Sequence, residues 1–162
     1  MTQLIWEQAF HLLMINEGGY VNDCHDTGGQ TNFGISKASY PNEDICNLTE
    51  ERAKEIYRRD YWNKCKCDYM PDALSVAVFD FAVHSGTYKA IRFLQQALGV
   101  KVDGIIGNQT IGACNRLPVK EVLEDYLNRR LAFMQKQSVW KYYARGWANR
   151  INRVKDFCFN II

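Results

Sequence analysis

The chain has 162 residues, of which 47% are hydrophobic and 23% charged, with a net charge of +2, the usage of an ordinary globular domain with its own core. No run approaches the ~20 apolar residues of a membrane span, which excludes a spanning helix, and Met-Thr-Gln-Leu-Ile-Trp-Glu at the start lacks the basic region and cleavage pattern of a signal peptide. Synthesis in the cytoplasm is the expectation.

The first predicted element is a helix. Leu4, Ile5, Ala9, Leu12 and Leu13, with Trp6, Phe10 and Met14 beside them, recur at three- and four-residue spacing, as a core-facing helix requires. Gly18 or Gly19 supplies the left-handed residue that ends it. Glu17 stands at that end, facing the negative pole of the helix dipole. If apolar neighbours also shield it, both effects favour its protonated form, which a general acid needs near neutral pH. Position alone equally suits a solvated glutamate at a helix end.

The stretch that follows is rich in glycine and carries Asp23, Asp26 and Thr31. Cleaving a glycosidic bond takes one carboxyl to protonate the leaving oxygen and a second to activate water or stabilise the sugar cation. A small hairpin over 20–35, turning at Gly28-Gly29, is the one plausible sheet.

Helices fill the remainder. Thr49 reads as an N-cap with Glu50 and Glu51 in the first turn, and Ala53, Ile56 and Tyr57 point inward. Pro71-Asp72 opens a helix whose run from Ala73 to Val83 is apolar on every side, so it belongs in the middle of the domain. Asp80 inside that run must be paired, hydrogen-bonded or neutral, and a structural partner is favoured over catalysis. Gly86 closes this helix. Another follows over 88–98 with Gly99 as its stop, then a tight turn over 102–107, a short helix from Asn108, a long one after Pro118, and an aromatic one from Trp140 to about Phe157. No linker, repeat or low-complexity segment divides the chain.

Six cysteines lack paired Cys-x-x-Cys spacing, so free thiols are the default, and no metal or cofactor is expected. Basic residues gather late: Arg129, Arg130, Lys136, Lys141, Arg145, Arg150, Arg153 and Lys155. They read as a solvated helix face or as attraction to an anionic polymer.

Glu17, Asp26 and Thr31 fall in the order and spacing of phage-type lysozymes, whose helix-terminal glutamate precedes an aspartate by nine positions. From about Trp6 to about Asn152 the chain resembles glycoside hydrolase family 108, the phage endolysin and secretion-associated muramidase group. The resemblance rests on Glu17-Gly18-Gly19-Tyr20, Asn22-Asp23, Asp26-Thr27-Gly28-Gly29-Gln30-Thr31-Asn32-Phe33-Gly34-Ile35, Cys67-Asp68-Tyr69-Met70-Pro71, and Phe79-Asp80-Phe81-Ala82-Val83-His84-Ser85-Gly86. Leu94-Gln95, Ala97-Leu98-Gly99-Val100 and Val102-Asp103-Gly104-Ile105-Ile106-Gly107 match its peptidoglycan-binding-like region. Cys24 and Thr27 depart from the family's prolines, leaving the unfolded loop freer. His84 replaces a frequent asparagine, retaining hydrogen-bonding capacity or adding a titratable group.

The resemblance implies a mainly α (α+β), lysozyme-like helical globule with a small β-hairpin near the active site. It comprises one domain over 1–162, in which a catalytic segment over 1–69 packs with a peptidoglycan-binding-like segment over 70–155. The implied activity is cleavage of the β-1,4 bond between N-acetylmuramic acid and N-acetylglucosamine. Glu17 would be the general acid, Asp26 the second carboxylate, with Asp23 the alternate base, and Thr31 the group orienting water or that carboxylate. Of the aromatics whose faces suit sugars, Tyr61, Trp140, Tyr142, Tyr143 and Trp147 are mostly expected in the core, whereas Tyr20 and Trp62 are placed at the cleft with Asp23 and His84. Reaching the wall would then need a holin-type pore or a secretion system. The alternatives are a non-catalytic peptidoglycan-binding or secretion-accessory protein and, third, a nucleic-acid module; nucleic acid is not an expected partner.

Overall fold

The computed structural model of the protein describes residues 2–16 and 30–162. Glu17, Tyr20, Asp23, Asp26 and the expected Gly28-Gly29 turn lie outside the described residues. Helix α1 (Thr2–Asn16) buries Ile5, Trp6, Ala9, Phe10, Leu12 and Leu13, the stripe its spacing predicts. Leu4, expected to face inward, is instead 64% exposed. It lies one position before the buried Ile5 and Trp6 and so on the outer flank.

A short antiparallel pair follows, β1 (Thr31–Asn32) and β2 (Ile35–Ser36), with Thr31 opposite Ser36 and Asn32 opposite Ile35. The turn of this described pair is Phe33-Gly34, whose φ values of 54° and 76° are those of the mirror-image turns that match strand twist. Tyr57 donates its hydroxyl to the Phe33 carbonyl at 2.8 Å. That bond holds a non-glycine residue in the left-handed region, where it is otherwise disfavoured. Asn32 and Ile35 face inward, and Asn32 donates to the Ile45 carbonyl at 3.1 Å.

Helix α2 (Glu50–Tyr57) begins as its sequence predicts, with the Thr49 hydroxyl accepting from the Arg52 backbone N–H at 3.1 Å. What the sequence reading missed is a π turn over Arg58–Trp62, marked by the Asn63 N–H reaching back to the Arg58 carbonyl at 2.8 Å. The wider turn sends Tyr61 toward the surface and Trp62 into the core. Trp62, expected at the cleft, is therefore corrected: it is 0% exposed, packs edge-on against Trp6 and Phe79, and gives its indole N–H to Asp68 at 2.8 Å.

Helix α3 (Asp72–Ser85) buries every residue from Ala73 to Ala82 and packs against α1, α4 (Thr87–Leu98), α6 (Val119–Gln135) and α7 (Trp140–Asn160). An all-round apolar run can be covered only at the centre. Gly86 ends α3 at φ 98° and Gly99 ends α4 at φ 71°, so both glycine stops form as predicted. Helix α5 (Asn108–Arg116) lies between α4 and α6 in sequence, and α7 runs three residues past its expected end. Buried residues from Ile5 to Cys158 form one hydrophobic cluster. No helix among the described residues is long and apolar enough to cross a membrane.

The cysteines correct another expectation. Cys46 is disulfide-bonded, whereas Cys65, Cys67, Cys114 and Cys158 are buried free thiols. Among the described residues no cluster of histidines, cysteines and carboxylates could hold a metal.

Candidate active site cleft

The hairpin, the end of α2 with its π turn, the C-terminal half of α3 and the middle of α7 enclose a cavity of about 320 Å³. Its walls include Ser36, Ser39, Tyr40, Tyr57, Tyr61, His84 and Arg150. A second hollow of about 430 Å³ shares Ser39, Tyr40 and Tyr61 with the first and adds Asp60, Lys64 and Thr87. Together they form a groove of hydroxyls, rings and charges. Few apolar walls make such a groove suited to a polar polymer with many hydroxyl groups.

Beneath the groove lies the partner cluster that Asp80 requires. Asp80 is 2% exposed; its Oδ2 accepts from Arg130 Nη1 at 2.8 Å and from Arg150 Nε at 3.0 Å, and its Oδ1 accepts from Arg150 Nη2 at 3.2 Å. Burial pushes the carboxyl up, but the combined pull of Arg150 and Arg130 outweighs it and holds Asp80 well below the usual carboxylate range. The structural role expected of Asp80 is the one observed. Two of the late basic residues expected on a solvated face, Arg130 at 0% and Arg150 at 7% exposure, are buried instead. A carboxylate in a low-dielectric interior needs cations nearby, and guanidinium, weakly hydrated and fork-shaped, suits that place.

The same cluster anchors the end of α1. Asn16 donates through Nδ2 to Asp80 Oδ1 at 3.2 Å and accepts from Arg153 Nη1 at 3.0 Å. The residue preceding Glu17 is thus tied to a network whose Arg150 also lines the cavity.

His84 lies where groove and network meet. Arg130 Nη2 approaches its Nδ1 at 3.1 Å, and since guanidinium only donates, Nδ1 accepts and the ring's proton sits on Nε2. Burial, then the charges of Arg150 and Arg130, push the imidazole down to about 4. It is neutral at physiological pH. Of the two roles open to His84, it accepts a hydrogen bond as an amide would, and its ring changes charge only in acid.

On the far side of the groove, Tyr40 donates to Asp60 Oδ2 at 2.7 Å while Arg59 grips both oxygens at 2.7 and 2.8 Å. The Arg59 bonds outweigh partial burial and, with the Tyr40 hydroxyl, bring Asp60 down to about 2. Burial and the bond to Asp60 raise the Tyr40 hydroxyl above its ordinary range. Asp60 stays ionised and Tyr40 stays protonated. Neither is a proton carrier near neutral pH, so the pair acts as a rigid polar wall.

Thr31 does not line the cavity itself, yet it is the direct cross-strand partner of Ser36, which does. Directly opposed residues of an antiparallel pair share one face. Of the predicted site residues, then, Thr31 and His84 flank the groove and Trp62 does not. Tyr40, Asp60 and Arg150 were missed as site residues. For Asp60 the sequence signal was thin, one acid beside Tyr61-Trp62 in a stretch whose π turn no periodicity announces. For Arg150 a signal existed, since the buried Asp80 demanded a cation; nothing in the sequence chose among the eight late ones.

The family model described as "Glycosyl hydrolase 108" matches residues 10–86, and that described as "Predicted Peptidoglycan domain" matches residues 89–152. Among solved structures, Brucella abortus SagA is similar at 32% identity and a TM-score of 0.83, over 96% of this chain and 94% of that one. Among curated proteins, none matches.

Proposed function

Because this chain belongs to glycosyl hydrolase family 108 and carries a peptidoglycan-binding region, we propose that it is an N-acetylmuramidase with Glu17 as its general acid. It is a glycoside hydrolase that acts on peptidoglycan. The finer reading is that it cuts the β-1,4 bond between N-acetylmuramic acid and N-acetylglucosamine. Asp26 supplies the second carboxylate, Asp23 is the alternate base, and Thr31 orients water or the Asp26 carboxylate. Tyr20 contacts the sugar. Such chemistry needs a fixed distance between acid and partner, because their separation decides whether water or the carboxylate itself attacks.

The observation that carries this reading is the anchoring of Asn16 to the Asp80–Arg150 network at the cavity wall. Proton transfer in a transition state demands an acid held at a fixed position, and the helix end that precedes Glu17 in sequence is tied through Asn16 to that network. The wall polymer is reached after export, through a pore or a secretion system.

Replacing Glu17 by glutamine tests the assignment, since it removes the transferable proton and keeps size and polarity. Release of new reducing ends from purified peptidoglycan should fall at least about a hundredfold, within the range general acid catalysis contributes, while wall binding persists. Mass analysis of the wild-type products should place N-acetylmuramic acid at those reducing ends. N-acetylglucosamine there would overturn the bond assignment, and lysis by the glutamine variant within about tenfold of wild type would overturn Glu17.

A further inference from the structure

Within the first ten residues of α7, Lys141, Tyr142, Tyr143, Arg145, Gly146 and Asn149 are exposed, Trp140 and Trp147 pack half-buried against the core, and full burial begins at Arg150. A helix end that only capped the fold would carry polar residues there. This one carries rings. Tyr143 is 54% exposed and stacks on Trp147 with centroids 5.4 Å apart and planes 17° apart. Trp147 in turn meets His84 edge-on at 5.4 Å. Trp140 also meets Trp147, tilted at 49° with centroids 6.1 Å apart.

The row has a direction. Tyr143, Trp147 and Arg150 are spaced i, i+4, i+7, which places them on one face of the helix. Arg150 and His84 line the cavity. The aromatic face is therefore continuous with the groove and leads away from it, and the lysine and arginine at 141 and 145 fall on the opposite, solvated side. Gly146 adds an independent sign. A methyl group there would meet nothing within 4 Å, so packing does not call for glycine, and glycine inside a helix costs about 1 kcal/mol relative to alanine. Bare backbone beside the rings leaves room for something to approach.

We propose that the face of α7 formed by Tyr143 and Trp147 is a glycan-stacking platform that extends the cleft and binds the peptidoglycan strand beyond the bond being cut. It rests on the reading of the groove as the site of a peptidoglycan hydrolase. Rings with an apolar face and a polar edge suit pyranose sugars, which likewise present C–H groups on one face and hydroxyls at the rim.

Four tryptophans make the test direct. Trp6 and Trp62 are buried, at 2% and 0% exposure, so a change in intrinsic fluorescence on adding glycan reports chiefly on Trp140 and Trp147. Purified wall glycan fragments of increasing length would be titrated into full-length protein carrying Glu17→Gln, alone and with Tyr143→Ala, Tyr143→Phe or Tyr69→Ala. Affinity should rise with fragment length. Tyr143→Ala should weaken binding of long fragments about tenfold, equivalent to 1.4 kcal/mol. The phenylalanine variant should keep most of that affinity, and loss of the exposed Tyr69 outside the row should change nothing.

Three results would overturn the platform: long-fragment affinity unchanged in Tyr143→Ala, an equal loss on the shortest fragment that binds, or a fluorescence response to anionic phospholipid vesicles and none to glycan. Continued hydrolysis by the Glu17→Gln background would sink the catalytic assignment instead. Initial fluorescence amplitudes still read the platform in that case, so the two failures are distinguishable.

Discussion

Two buried polar clusters hold this fold together, and they differ in charge. One is the Asp80 network, where a carboxylate in the central helix gathers two guanidiniums from α6 and α7. The other surrounds Gln95, 0% exposed, which organises the loop after α4. Its Oε1 accepts the backbone N–H groups of Asp103 and Gly104 at 3.0 and 2.9 Å, and its Nε2 lies near Asp103 Oδ1, the Ile105 carbonyl and the Thr110 hydroxyl at 3.0, 2.9 and 3.2 Å. Backbone N–H groups only donate, so the amide can face one way. The neutral amide itself does not titrate, and the Asp103 carboxylate it meets is held below the usual carboxylate range by the Ile105 N–H and Gln95, so these bonds persist above that range. The charged cluster, set against the groove and the end of α1, makes its stability and the neighbouring His84 depend on protons. Structure alone needs only the first kind, and the second kind lies where chemistry is expected.

The largest effect that would sharpen this contrast is expected from Asp80→Asn. It keeps shape but strands two buried guanidiniums, and breaking a buried pair in this way costs roughly 3–5 kcal/mol. Urea unfolding at neutral pH measures it. A loss below about 1 kcal/mol, the range of exposed pairs, would mean that the arginines find other partners.

Gln95→Ala should cost less, about 1–3 kcal/mol, the penalty of leaving buried donors and acceptors unpaired. The loss should be the same at pH 5 and pH 7, since no titrating group leaves. A strong pH dependence would erase the distinction between the clusters.

Acid should act on the charged cluster in two stages. His84 has a folded-state pKa of about 4 against an ordinary 6.5, so the unfolded chain takes up the extra proton between those values, and stability falls as pH drops through that window. Asp80, depressed when folded, contributes above the ordinary aspartate value of ~3.9 and loses that contribution as pH falls below it. His84→Asn, whose amide oxygen still accepts from Arg130, should flatten the first stage and keep the second. Melting temperature followed from pH 7 to pH 3 in both proteins decides this, and an unchanged slope between pH 6.5 and 4 would clear His84 of any part.

The smallest effect should come from the same chemistry placed in water. Arg129 and Asp125 pair at 2.9 Å on the surface of α6 with both side chains more than two-fifths exposed. Arg129→Ala should change stability by no more than about 1 kcal/mol. A larger loss there would show that burial is not what separates the Asp80 pair from an ordinary one.

Much of this molecule was legible in its sequence because the signals are local. The Thr49 cap, the glycine stops at 86 and 99, the all-apolar α3 and the need of Asp80 for partners each follow from spacing or from the chemistry of a few neighbours, and each is present. The matched motifs that pointed to the family are local as well. What the sequence could not decide depends on groups far apart in the chain. Arg130 and Arg150 reach Asp80 across 50 and 70 positions, and no periodicity distinguishes these two buried arginines from the six solvated basic residues around them. Trp62 moved from the expected cleft to the core because one π turn shifted the register, a change of one residue's worth of backbone that leaves no mark in composition. The hydrophobic pattern determined which helices exist and which faces they bury. Only tertiary packing decided which charges meet beneath the groove, and which rings are left at its edge.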